Sequence, residues 1–102
     1  MGNEMEHLTD EILRNAVERQ VEDEFDTHDL IFTLMTDVAR EYACALYEQR
    51  DHPRDPFVGL HTRIGQRLDD DCLRDSLRKL PRKRISRNCR GKDDECQMWE
   101  KI

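Results

Sequence analysis

The chain of 102 residues carries 23 acidic and 17 basic side chains, a formal charge of -6, and 36% of it is hydrophobic against 39% charged. An average soluble domain is about 45–50% apolar and about 25% charged, so these proportions describe one small domain with a thin core and exclude a large internal catalytic cavity. No apolar run approaches the roughly 18 residues of a membrane span, and the first ten residues are acidic where a secretory signal would be basic; the expectation is an intracellular, cytoplasmic protein with no membrane contact and no small-molecule substrate.

The first eight residues have no periodic pattern and are expected to be flexible. From Thr9 or Asp10 onward a helix over residues 10–24 is predicted, because Ile12, Leu13, Ala16, Val17, Val21 and Phe25 recur at the three- and four-residue spacing of one apolar stripe. Arg14, Glu18, Arg19, Glu22 and Asp23 form its solvated face. Asp26 or Thr27 then offers a fresh N-cap, with Asp29 in the first turn where a carboxylate suits the helix dipole. The second helix is the longest, its stripe running Leu30, Ile31, Leu34, Met35, Val38, Tyr42, Ala45 and Leu46 and stopping before Pro53.

Residues 50–54 read as a connector. Asp55-Pro56 restarts a helix with a capping residue followed by proline at the first helical position. This third helix turns Phe57, Leu60, Ile64 and Leu68 inward and exposes Thr62, Arg63, Gln66 and Arg67. The triplet Asp69–Asp71 offers caps for a short fourth helix carrying Leu73, Leu77 and Leu80, ended by Pro81. Beyond it, residues 82–88 and 95–101 resemble two short strands joined across Arg90-Gly91-Lys92-Asp93-Asp94, with Trp99 as the anchor to the helices; the alternative is a basic tail. The fold class is therefore mainly α with a C-terminal β-hairpin, an α+β domain with a helical core over residues 10–80 and a basic hairpin over 82–102.

Charge is unevenly divided. Residues 1–60 hold 15 acidic and 5 basic side chains, residues 61–102 hold 8 and 12, and the segment from Arg74 to Lys92 alone carries +8 in 19 residues. Such a cluster is either a footprint for phosphates, which release counterions when Lys and Arg meet a polyanion, or the internal counter-charge of the acidic half.

Four cysteines (Cys44, Cys72, Cys89, Cys96) lack the two-to-four-residue gaps of a zinc knuckle, so no metal or other cofactor is expected. Cys89 and Cys96 fall on opposite arms of the hairpin and would bridge only in an oxidising compartment. The histidines, His7, His28, His52 and His61, show no spacing to a nucleophile, and His61 reads as a half-buried packing residue. No glycine-rich phosphate loop occurs, and an enzyme is not expected.

Three helices, the third opened by Asp-Pro, followed by a basic two-stranded hairpin, resemble a winged helix-turn-helix domain in layout over residues 10–102. The resemblance implies that the third helix enters the major groove of duplex DNA and the wing meets the backbone. By position, Thr62, Arg63, Gln66 and Arg67 would approach base edges, and Arg82, Lys83, Arg84, Arg87, Arg90 and Lys92 would contact phosphates. The alternative reading is a protein-interaction module or small phage or mobile-element regulator, in which acidic and basic halves dock on a protein partner or pair two copies in a homodimer.

Overall fold

The computed structural model describes residues 7–70, 73 and 75–102. In chain order these form α1 (Asp10–Glu18), β1 (Glu24–Asp26), α2 (Thr27–Asp37), α3 (Ala39–Glu48), α4 (Pro56–Leu68), β2 (Leu77–Arg87) and β3 (Asp93–Lys101). The strands make one antiparallel sheet in the order β1-β3-β2, so the molecule is an α+β domain. None of the described helices is long and apolar enough to cross a membrane.

Local caps explain where the helices start. The Thr9 hydroxyl accepts from Ile12 N, with Asp10 and Glu11 in the first turn of α1. Asp26 and Asp29 form a reciprocal capping box on α2. Asp55 Oδ1 accepts from Val58 N at 2.9 Å with Pro56 at the first helical position of α4. Leu8, Leu13, Val17, Leu30, Leu34, Leu60, Ile64, Leu68, Leu73 and Trp99 are buried in one shared core. Leu8 is therefore fixed, although it falls in the stretch expected to be flexible; residues 1–6 lie outside the described residues.

Three elements differ from the periodicity. The first helix ends at Glu18 instead of 24, since residues 24–26 pair with β3 and bury Phe25 opposite Trp99; Val21, expected inward, is 98% exposed. The long second helix is two, broken at Val38, whose backbone leaves the helical region at φ -129°, ψ 52°. A fourth helix carrying Leu77 and Leu80 is not formed: both residues lie in β2. Pro81 sits there too, inside the irregularity between Lys79 and Lys83 where the ladder with β3 is interrupted. A bulge tolerates proline because no ladder bond needs its missing N–H. Asp71, Cys72 and Arg74 lie outside the described residues, while Asp69 closes α4 as its C-cap.

The hairpin is longer than expected, and its turn is built by Asn88. Asn88 N donates to Lys92 O at 2.8 Å, and Asn88 Oδ1 accepts from Arg90 N and Lys92 N. Gly91 takes φ 77°, a left-handed position that suits glycine.

Candidate functional site

Charge is the natural place to begin, because the sequence concentrates cations in β2 and the turn. Each of these side chains has a carboxylate beside it, Lys92 excepted among the described residues. Within the second half, Arg78 pairs with Glu100, Lys79 with Asp69 at 3.3 Å, Lys83 with Glu95 at 3.9 Å and Arg87 with Asp93 at 3.7 Å. Across the halves, Arg82 pairs with Glu24, Arg84 with Asp26 at 2.9 Å and Asp29 at 2.7 Å, and Arg90 with Asp55 at 2.8 Å. The acidic and basic halves are thus joined inside the molecule, the counter-charge arrangement that the sequence left open.

Of the residues singled out for nucleic acid, the fold brings together Thr62, Gln66 and Lys83. They line an open trough of about 340 Å³ between α4 and the hairpin, which Lys79, Asp69 and Glu95 also border. A second hollow of about 410 Å³ continues it toward the hairpin tip, sharing Thr27, Thr62 and Glu95 with the first. Arg90 closes that end: besides its ion pair with Asp55, its guanidinium lies 5.5 Å from the centre of the Phe57 ring. Phe57 is consequently half-buried under the turn instead of lying in the core.

The other expected contacts are dispersed. Arg67 is 5% exposed and ion-paired with Asp10 and, at 3.9 Å, Asp70, so it faces the inside of the fold and not a reading surface. It lies next to the apolar stripe of α4, where a long aliphatic stem can be covered if its charge finds a partner. Arg63 is half-buried and engaged. Arg82 and Arg84 turn toward β1 and the start of α2, away from Lys83 in the trough. Arg87 pairs with Asp93 near the turn, and Lys92 stands exposed at the tip.

Sequence spacing missed a node where β1, α2, β2 and β3 meet. Asp26, fully buried, accepts from Asp29 N at 2.9 Å and from Arg84 Nε at 3.0 Å. Burial pushes its carboxyl up, but the hydrogen bonds from Asp29 N, Ser86 and Arg84 outweigh burial and hold it below the usual carboxylate value. His28 Nδ1 lies 2.6 Å from Ser86 Oγ, and His28 N donates to Cys96 Sγ at 3.3 Å. Burial raises the Cys96 thiol, which makes it a poor free nucleophile. The capping role of Asp26 was legible in the sequence; its meeting with residues 84, 86 and 96 depends on strand pairing.

A second buried pair joins α3 to α4. Tyr42 OH and His61 Nε2 are 2.6 Å apart. Burial, helped by the charges of His28 and Arg90 and opposed by Asp55, lowers His61 to about 4, while burial raises the Tyr42 phenol. At neutral pH the imidazole is uncharged, and it shares one hydrogen bond with the phenol. The thiols Cys44, Cys89 and Cys96 are free. Cys89 lies in the turn and not on an arm of the hairpin, while Cys96 stands opposite Arg84, so the two do not face each other across the ladder.

Comparison with known proteins finds no match: no family model, curated protein or solved structure resembles the chain.

Proposed function

We propose that this is a protein-binding module that takes an extended acidic segment of a partner along the open edge of β2. The observation that carries the reading is the sheet order β1-β3-β2, which among the described residues leaves β2 paired on one side only. Because Asn88 N bonds Lys92 O, antiparallel alternation makes Ser86 with Asp94 and Arg84 with Cys96 the hydrogen-bonded pairs. The N–H and C=O groups of Lys83, Ile85 and Arg87 then point away from β3, a five-residue template for strand addition.

The side chains of that template specify the partner. Lys83, Ile85 and Arg87 alternate along one face, and Ile85 is 71% exposed. An added strand of pattern acidic-x-apolar-x-acidic would oppose each of them favourably. β3 already supplies such chemistry on the other side, through Glu95 and Asp93. A second copy would bring the same cations edge to edge, and like charges directly opposite destabilise a strand pair; the partner is a different protein.

The test is titration of an isotope-labelled sample with a synthetic Asp-Thr-Val-Thr-Glu peptide followed by amide chemical shifts. Movement of the amides of Lys83, Ile85 and Arg87, lost in Ile85→Asp, supports strand addition. Unmoved amides at millimolar peptide overturn it. A second reading, duplex DNA held by α4 and the hairpin, draws on the winged-helix-like layout and on the convergence of Thr62, Gln66 and Lys83 on one trough. Exposed ion pairs are worth only about 0.2–1 kcal/mol, so phosphates could displace them. That reading predicts duplex affinity at about 50 mM salt that falls steeply as salt rises; no binding there counts against it.

A further inference from the structure

We propose that Asp26, His28 and Cys96 form a binding site for a divalent ion of the zinc type. One carboxylate oxygen, one imidazole nitrogen and one thiol sulfur, contributed by β1, α2 and β3, lie within 4.8 Å of one another. In a tetrahedral zinc site neighbouring ligand atoms are about 3.3–3.8 Å apart, as bond lengths of about 2.0–2.3 Å require. The three donors therefore need to close by about 1 Å, within reach of side-chain rotation.

Several independent features favour an ion there. The donor set is mixed nitrogen, sulfur and oxygen, which selects borderline ions such as zinc over magnesium or calcium. The charge balance fits: Asp26 and Asp29 against Arg84 leave -1, ionisation of the Cys96 thiol makes -2, and a divalent ion neutralises the node. The outer contacts that orient zinc ligands are also in place. Ser86 Oγ lies 2.6 Å from His28 Nδ1 and fixes the imidazole ring beside Asp26 and Cys96. Asp29 N and Arg84 hold the Asp26 carboxylate. His28 and Cys96 both line the 410 Å³ hollow, which supplies an entry path and room for a water as fourth ligand.

On binding, the thiol proton is released to solvent and the sulfur, imidazole nitrogen and carboxylate oxygen each donate an electron pair, with no change of oxidation state. The ion would tie the start of α2 to the centre of the sheet and stabilise the junction of β1 with β3.

Cobalt(II) titration of the reduced full-length chain tests the site, since a bound thiolate gives a sulfur-to-cobalt charge-transfer absorption. The expected result is one equivalent bound, displaced by zinc, with a rise in Tm on adding zinc. Cys96→Ser abolishes the absorption, His28→Ala weakens binding at least about 10-fold, and Cys89→Ser and Cys44→Ser leave both unchanged. Absence of the absorption in the unmodified chain at excess cobalt overturns the site, and so does absorption that survives Cys96→Ser or disappears in Cys89→Ser. The unmodified chain decides the question even if Cys96→Ser lowers the folded population, which circular dichroism reports.

Discussion

Asp26 and Arg84, 58 residues apart in the chain, are joined by a hydrogen bond of 3.0 Å from the guanidinium Nε to Oδ2. The same carboxylate caps α2 through Asp29 N. One buried group thus serves both a helix start and the attachment of the hairpin. Asp26→Ala removes the cap and a charged hydrogen bond together and is expected to cost about 2–3 kcal/mol. Arg84→Met is expected to cost less, about 1 kcal/mol, because the half-exposed guanidinium is screened by water and the cap survives. Urea unfolding of the two variants beside the unmodified chain gives the comparison, and equal losses would contradict the dual role.

Acid should weaken the fold in two separate windows. His61 titrates near 4 in the folded chain against 6.5 ordinarily, so between those values the unfolded chain takes up a proton that the folded chain refuses. Stability from this residue is intact above pH 6.5 and falls as pH drops toward 4, by about 2 kcal/mol at pH 5. Asp26 acts in a lower window: its folded carboxyl is held below 3.8, so its contribution is present above that value and is lost as pH falls through the folded one. Unfolding free energies at pH 7 and pH 5 should differ in the unmodified chain and nearly coincide in His61→Gln, which keeps a hydrogen-bonding group for Tyr42 without the titration.

Two glycines of α4 should respond with opposite sign. A Cβ on Gly59 would stand 2.8 Å from Gln49 Oε1 and from His52 Cδ2, while Gly65 has open space around the same position. Gly59→Ala therefore displaces the connector packed on α4 and is expected to cost about 1–3 kcal/mol. Gly65→Ala removes a poor helix former at no steric cost and should stabilise by about 1 kcal/mol, or about 4 °C in Tm. Thermal melts of both variants check the pair.

Salt should act on the hairpin before the core. The ion pairs of Lys83 with Glu95 and Arg87 with Asp93 are exposed, and at 1 M ionic strength the Debye length falls to about 3 Å. Hydrogen exchange of β3 residues 94 and 96, whose amides pair with β2, should quicken between 0.05 M and 1 M salt. Amides of Leu60 and Ile64 in α4, buried in the apolar core, should not change.

Much of the helical core could be read from residue pattern alone. Thr9, Asp26 and Asp55 are local caps, and the Asp55-Pro56 start of α4 follows from side chains within one turn. What escaped was decided by partners far along the chain. Phe25 falls on the helical stripe of residues 12–25, yet Glu24 to Asp26 are a strand because Trp99 and Met98 wait opposite. Leu77 and Leu80 fit a helix period, but pairing of Leu77 with Lys101 prevails. The charge division was visible as composition, whereas the pairing of Arg82, Arg84 and Arg90 with the acidic half required the fold. Cysteine spacing likewise gave no metal pattern, since Asp26, His28 and Cys96 become neighbours only through the sheet.

The grip of Arg90 on Asp55 and Phe57 has a kinetic side. The hairpin can zip locally around Asn88 and Gly91, but this contact closes the long stretch of chain between residues 55 and 90, whose ordering entropy must be met first. It belongs among the last interactions to form and the first to break, so weakening it should hasten unfolding while leaving the refolding rate almost untouched.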